Sequence, residues 1–287
     1  MSDCASQGGC ASGASPAQDE MDARVAASLA NIRFKLLVMS GKGGVGKSTV
    51  ATYLALGLAE KGYQVGLLDV DLHGPSIPRM LGIKGHANVE EEEQFIHPIT
   101  TDHGLKVLSV EMLMPQADSS IIWRGPLKIG VIKQFLGNVA WGKLDFLVID
   151  SPPGTGDEPL TIAQTVPDAR PVVVTTPQEI ALADVRKSVD FCFQVELPIM
   201  GVVENMSGLI CPHCHQPIEL LGKGGGRALA ERYHLDLLGQ IPWDPALVAA
   251  ADQGRPLDLA KQNGDAGQAY QALVGQVLER TAEKKLS

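Results

Sequence analysis

Short runs dense in Val, Ile and Leu recur along the chain at 35–39, 64–68, 106–110, 146–149, 171–174, 199–203 and 235–238. Apolar runs of this length without polar alternation predict strands buried on both faces. Between them apolar residues fall at helical spacing, as in Val50, Leu54 and Leu58, or in Leu182, Val185 and Val189. Repeated strand, helix and strand predicts βαβ units, and so an α/β fold: a doubly wound, mostly parallel sheet with helices on both faces. Two stretches break this rhythm, 85–104 and 207–226, and both read as insertions at the edge or rim of the sheet. The run Glu90 to Glu93 inside the first reads as a solvated loop, because blocks of like charge stay in water.

At the amino end, residues 1–18 are mostly Ser, Gly, Ala, Gln and Cys. Such a composition does not offset its own ordering entropy and predicts a flexible tail. Met21, Val25 and Leu29 over 19–31 then predict an amphipathic lead-in helix. The expected organisation is an N-terminal extension over 1–31, carrying Cys4 and Cys10, and one domain over 32–287 with the insertion at about 207–226.

Composition narrows the function classes. Among 287 residues, 45% are hydrophobic and 20% charged, which excludes a mostly disordered chain or a coiled-coil rod. Against 33 Asp and Glu stand 24 Lys and Arg, a net charge of -9 that argues against a general nucleic-acid or anionic-membrane surface. No apolar run approaches the roughly 18 residues of a membrane span, and the first thirty residues lack a secretory pattern. A cytoplasmic protein binding neither nucleic acid nor membrane is expected.

The sharpest local signal follows the first strand. Gly41-Lys42-Gly43-Gly44-Val45-Gly46-Lys47-Ser48 has the Walker A spacing and runs directly into the helical pattern that starts at Thr49. Its glycines let backbone N–H groups turn toward phosphate oxygens, Lys47 reaches the terminal phosphates, and the Ser48 hydroxyl suits Mg²⁺. Residues 41–49 are therefore the expected nucleotide cradle. Lys42 is a second lysine where an ordinary Walker A needs no charge, the deviant form of the motif. In the class it resembles, which includes MinD, ParA and the nitrogenase iron protein, that lysine crosses a dimer interface to the partner's nucleotide. It would then neutralise charge developing on the transferred phosphoryl.

The second strand ends in Asp69-Val70-Asp71, at the sheet edge where open α/β folds bind ligands. Asp71 is the candidate for orienting an attacking water, and Asp69 for an outer contact to magnesium. The 144–149 strand delivers Asp150, a Walker B carboxylate, followed by a Gly/Pro loop whose Gly154 N–H can meet the γ-phosphate. Asn205, at the end of the 199–203 run, offers a donor and an acceptor to a base edge. Lys223-Gly224-Gly225-Gly226 reads as a helix entry.

Cys211-Pro212-His213-Cys214 has the spacing that converges two thiolates on one metal or forms a reactive dithiol. Two thiolates are half a tetrahedral site, so further ligands would come from a second copy, the tail, or His213 and His215; iron-sulfur, zinc and redox uses all remain open. Cys192 falls on the apolar stripe with Leu182, Val185 and Val189 and reads as a core residue.

With GKGGVGKS, LLDVDLHGPS, VIDSPPGTGDE, TTPQEIALADVRKS, VENMSG and CPHC in this order, the chain from about Asn31 onward resembles the Mrp/ApbC-type iron-sulfur cluster carrier ATPases. The resemblance implies a P-loop NTPase fold and slow ATP hydrolysis. It also implies a homodimer or heterodimer holding a [4Fe-4S] cluster between two CxxC motifs, with delivery to apo iron-sulfur proteins. By position it assigns Lys42, Lys47, Ser48, Asp71, Asp150 and Asn205 to ATP and Mg²⁺, and Cys211 and Cys214 to the cluster. Cys4 and Cys10 match only the last pair of the four-cysteine N-terminal motif of the eukaryotic scaffold-type members. The alternative is a spatial-organiser ATPase similar to MinD or ParA; a third reading is a GTPase that inserts metal into an enzyme.

Overall fold

The structure is a computed structural model that describes residues 16–72, 74–90, 95–113, 125–211, 214, 216–256 and 264–282. Residues 1–15 of the expected tail, with Cys4 and Cys10, and His73, His213, His215 and Glu91 to Glu93 lie outside the described residues, while Pro16 to Gln18, expected in the tail, are helical as the first residues of α1.

In chain order the elements are α1 (Pro16–Ala30), β1 (Ile32–Ser40), α2 (Lys47–Glu60), β2 (Val65–Asp69), α3 (Ile77–Met80), β3 (Asn88–Glu90), β4 (Phe95–His97), β5 (Ile99–Thr100) and β6 (Lys106–Ser109). There follow α4 (Gly125–Gly137), β7 (Leu144–Asp150), α5 (Asp157–Thr165), β8 (Arg170–Thr175), α6 (Glu179–Gln194) and β9 (Gly201–Ile210). The chain ends with β10 (Pro217–Ile218), α7 (Gly225–Tyr233), β11 (Leu237–Trp243), α8 (Pro245–Asp252) and α9 (Asp265–Ala282).

The main sheet runs β10-β9-β8-β1-β7-β2-β6-β5, with β11 also paired to β9. The interior pairings are parallel, while β5 and β10 add short antiparallel strands at the edges. From β1 the chain moves one way through α2 to β2, and from β6 it moves the other way through α4, α5 and α6 to β9. Right-handed crossovers in opposite directions place α2 on one face and α4, α5 and α6 on the other. The switch in direction falls at the carboxyl end of β1, where an open α/β sheet has its crevice.

Burial explains the apolar runs. Leu36, Leu37, Val38 and Met39 in β1, and Leu147, Val148 and Ile149 in β7, are buried, as interior parallel strands require. Helix α2 is buried nearly all round and meets α9 through the Tyr53 and Tyr270 rings, 5.0 Å apart. The lead-in helix α1 is part of this cover: Val25 and Leu29 are buried, and Val25 packs against Gly137 of α4. Cys192 is buried against Met39, and burial pushes its thiol up to about 12, in keeping with a core role.

Two runs differ in extent from their sequence signal. The 235–238 run becomes β11 at Leu237–Trp243, and the 199–203 run becomes β9, which continues to Ile210. The continuation opens on two buried polar residues, Glu204 and Asn205, and is held by pairing to β11 and β10. The 85–104 insertion forms the β3–β4 hairpin and the edge strand β5.

Phe146 stacks on Phe34 at 5.3 Å and meets the edge of Tyr63 at 5.3 Å, so it joins β7 to β1 and to the connection between α2 and β2. Phe146→Ala is expected to lower stability by about 3–5 kcal/mol, read as an earlier urea midpoint at unchanged slope.

Candidate nucleotide and thiol sites

The P-loop spans the gap between β1 and α2. Gly44 and Gly46 have φ of 81° and 79°, the left-handed region that glycine enters at least cost. Val45 between them is buried and pegs the loop to the core, and side chains at Gly43 and Gly44 would meet nothing within 4 Å. The loop therefore presents bare backbone to open space. No side chain caps α2, so its first N–H groups face the loop unspent, as an anion site requires. Gly41 has a further reason to be glycine: a side chain there would strike the α6 backbone at Asp184 and Val185.

In front of the loop lies a cavity of about 480 Å³. Lys42, Lys47, Ser48, Thr49, Asp71 and Asn205 all border it. Its far wall is apolar, made by Met80, Pro242, Trp243, Leu247 and Val248. The sequence reading missed this wall. Its legible trace is Asp244-Pro245, an N-cap followed by proline that starts α8, whose Asp244 side chain accepts from the Ala246 N–H at 2.8 Å.

Three carboxylates gather around one ammonium. The register of β1 with β7 and β7 with β2 places Asp150 beside Val38 and Asp69. Lys47 Nζ donates to Asp150 Oδ1 at 2.6 Å and stands 3.9 Å from Asp71 Oδ2. Asp150 Oδ2 is buried without a hydrogen-bond partner among the described residues. Asp69 sits deeper: Oδ1 accepts from the Asp71 N–H at 3.1 Å and Oδ2 from the Ser109 hydroxyl at 3.1 Å. Of the three, only Asp71 borders the cavity, and Asp69 braces it from behind.

Burial raises the Asp150 carboxyl, opposed by the Lys47 ammonium and the Ser48 hydroxyl. Burial and the neighbouring Asp150 push Asp69 up to about 8, opposed by Lys47 and the Asp71 N–H. An excess of carboxylate with one orphaned oxygen, beside a serine hydroxyl, is a donor set that fits Mg²⁺. Open backbone N–H groups in front of it fit phosphate.

Two candidates are engaged elsewhere in this conformation. The Gly154 N–H donates to the Ser40 carbonyl at 2.8 Å, so contact with a phosphate requires its loop to rearrange. Asn205 Nδ2 donates to the Val45 carbonyl at 2.9 Å, bracing the P-loop from within β9 while also bordering the cavity.

Cys211 and Cys214 lie at the turn of a hairpin. Leu209 and Ile210 of β9 pair with Ile218 and Pro217 of β10, and the Cys211 N–H donates to the Gln216 carbonyl at 3.0 Å. Cys211 is half-buried, Cys214 is exposed, and neither forms a disulfide. Around the thiols, no group of three or more His, Cys, Asp and Glu forms among the described residues to hold a metal ion. The thiols sit apart from the P-loop cavity, joined to it by β9. Glu204 on that strand, unassigned by the sequence, is a fully buried carboxylate. Its only sequence trace is an acid that breaks the apolar run from Val202.

A folded-state value raised above the ordinary one means that the folded chain holds a proton the unfolded chain has lost. That stabilisation is complete below about pH 4 and is lost as pH rises through about 8. Urea midpoints of the metal-free protein are expected to fall between about pH 5 and about pH 8, and Asp69→Asn to flatten the slope. Lys47→Met is expected to lower stability by about 3–5 kcal/mol by leaving Asp150 buried and unpaired, and adding Asp150→Asn to recover most of it. Denaturation of the two single variants and the double variant measures this.

Comparison with known proteins agrees with this geometry. A family model described as ParA, NUBPL iron-transfer P-loop NTPase, matches residues 31–278. The iron-sulfur cluster carrier protein of Methanocaldococcus jannaschii is 42% identical over 267 residues, covering 93% of this chain and 91% of that protein. The cytosolic Fe-S cluster assembly factor NUBP2 homolog of Culex quinquefasciatus is 50% identical over 232 residues, covering 79% and 90%. Among solved structures, a nucleotide-binding protein of Archaeoglobus fulgidus in complex with ADP has a TM-score of 0.74 at 40% identity, covering 87% of this chain and 96% of that one. The septum site-determining protein MinD of Pyrococcus horikoshii, in complex with Mg-ADP, shares the fold with a TM-score of 0.61 at 23% identity, covering 88% and 98%. With a bare-backbone loop, a buried lysine-carboxylate pair and a match across most of its length, this chain belongs to the ParA/NUBPL family of P-loop NTPases.

Proposed function

We propose that this protein is an ATP-hydrolysing iron-sulfur cluster carrier, in which two copies hold a [4Fe-4S] cargo between them and pass it to apoproteins. The observation that carries the reading is the thiol pair at the hairpin turn: one half-buried and one exposed cysteine, uncompleted among the described residues, on a strand that also braces the P-loop. The names of the relatives, iron-sulfur cluster carrier and cytosolic Fe-S cluster assembly factor, support the cargo and a cytosolic setting.

The chain's own groups then have distinct tasks. Backbone N–H groups of 43–48 bind the phosphates, and Lys47 turns from Asp150 toward the terminal ones. Ser48 and Asp150 would hold magnesium, which when bound neutralises charge on the β- and γ-phosphate oxygens. Asp71, on the cavity wall, orients the attacking water and accepts its proton. Lys42 borders the same cavity and has no ion pair among the described residues, leaving it available to a second copy's nucleotide. Trp243, Leu247 and Val248 supply an apolar wall for the base beside Asn205. Cys211 and Cys214 supply two thiolates and a second copy two more, completing the four that such a cargo takes.

After anaerobic reconstitution the protein is expected to be brown and dimeric, with about four iron and four sulfide per two chains. Cys211→Ala with Cys214→Ala is expected to lose both. A colourless protein that keeps zinc would refute the cargo, and ATP-dependent pelleting with liposomes or DNA would favour a spatial-organiser role in its place.

A further inference from the structure

Strand β9 passes both sites, and two adjacent residues on it face different ways. Asn205 belongs to the nucleotide side: its amide holds the Val45 carbonyl and lies so close to Gly46 that any side chain there would collide with it. Glu204 belongs to the thiol side. Its Oε1 accepts from the Ser207 hydroxyl at 2.5 Å, from Gln240 Nε2 at 2.8 Å and from the Gly224 N–H at 3.2 Å, while Oε2 accepts from the Gly226 N–H at 2.5 Å.

Three of those donors flank the thiol-bearing hairpin, and the fourth, Gln240, lies on β11. Ser207 lies on β9 itself, three residues beyond Glu204 and ahead of the hairpin turn, and Gly224 and Gly226 are where the chain returns into α7. Gly226 is glycine because a side chain would run into the Glu204 Cβ, 2.7 Å away. A single carboxylate thus holds the outer part of β9, which carries the thiol hairpin, and ties the return of the chain at Gly224 and Gly226 to the same point. It also meets the uncapped start of α7, where an anion is favoured by the helix dipole. Partner strand β11 repeats the link: Gln240 and Ile241 lie opposite Glu204 and Asn205, and Trp243, a wall of the nucleotide cavity, lies opposite Leu209.

We infer that Glu204 is a positioning residue for the thiol pair, fixing Cys211 and Cys214 relative to the P-loop so that nucleotide binding alters how the thiols are presented. The inference rests on the reading of these two cysteines as the cargo ligands. A nucleotide on the P-loop stiffens the Val45–Asn205 contact, Glu204 moves with Asn205 as its neighbour on one strand, and the segment clamped by Glu204 opens less often. A buried carboxylate with four donors does this better than an amide. Glutamine would turn an NH₂ group toward an N–H that requires an acceptor.

The test uses metal-free full-length chain with Cys4, Cys10 and Cys214 replaced by Ser, so that half-buried Cys211 reports and core Cys192 stays silent. Its labelling by a disulfide reagent is timed with and without Mg-ADP. Protection by nucleotide of at least about fivefold is expected. Glu204→Gln is expected to bind fluorescent ADP as the parent does, yet to label equally fast with and without nucleotide. A role confined to stability would speed labelling in both states and keep the ratio, which would overturn the inference. So would absence of protection in the parent, or loss of ADP binding in Glu204→Gln. Should Glu204→Gln not fold, Ser207→Ala removes one donor only, and there the ratio is expected to fall by more than half. Because no iron is present, a response here beside a failed reconstitution would refute the cargo and keep the coupling, and the reverse pattern would do the opposite.

Discussion

One buried ion pair, Lys47 with Asp150, governs the chemistry of this molecule. Withdrawing two charges from water costs several kcal/mol for each, and the pair is tolerated only where geometry and extra hydrogen bonds offset that cost. Here they do so incompletely, since one oxygen of Asp150 has no donor among the described residues, and burial with the neighbouring Asp150 pushes the Asp69 carboxyl up to about 8. A single ammonium faces more negative charge than it can neutralise. The site is in this sense unfinished, and a divalent cation with a phosphate chain is the combination that relieves both the surplus carboxylate and the unspent N–H groups of α2.

The sheet exists in the form that this pair demands. Parallel pairing in register sets the ends of β1, β7 and β2 side by side, so that a lysine following β1 meets acids ending β7 and β2. Apolar burial along the same strands makes that register hard to slip, because a shift by one residue would turn charged ends into the core. The aromatic contacts of Phe146 with Phe34 and Tyr63 add a lock at the opposite ends of these strands. Chemistry and stability thus share strands but occupy opposite edges of the sheet.

How much could be read from the sequence follows from where each signal resides. Interior strands announce themselves by unbroken Val, Ile and Leu, and the P-loop by glycines whose spacing has a mechanical cause, so both were legible. Asp71 and Asp150 were legible because acids end apolar runs. The outer half of β9 was not, since it opens on two buried polar residues and is held by pairing to β10 and β11. Glu204 was hidden for a related reason: what makes it a clamp is the return of residues 224–226 from beyond the thiol segment, a tertiary contact without local signature. Most of the apolar wall of the cavity lies in one stretch, Pro242 to Val248 on β11 and α8, but what sets it opposite the P-loop and beside Met80 of α3 is tertiary packing, which no local pattern announces.

In the proposed dimer two requirements fall on one interface. A two-fold axis repeats every contact, so a single approach of one hairpin turn to its mate would gather four thiolates, and one approach of Lys42 across the axis would serve two nucleotides. Exposed Ile218 and Leu220 beside the thiols supply apolar surface that such an approach would cover. Both approaches are set by elements anchored to the same sheet: the P-loop after β1, and the hairpin on β9, two strands away. A shift that optimises Lys42 against phosphate therefore moves the hairpins, and the two fits are optimised together or compromised together. Nucleotide state can then govern the grip on a cargo held far from the phosphates, because the sheet between the sites is too well packed to absorb the displacement.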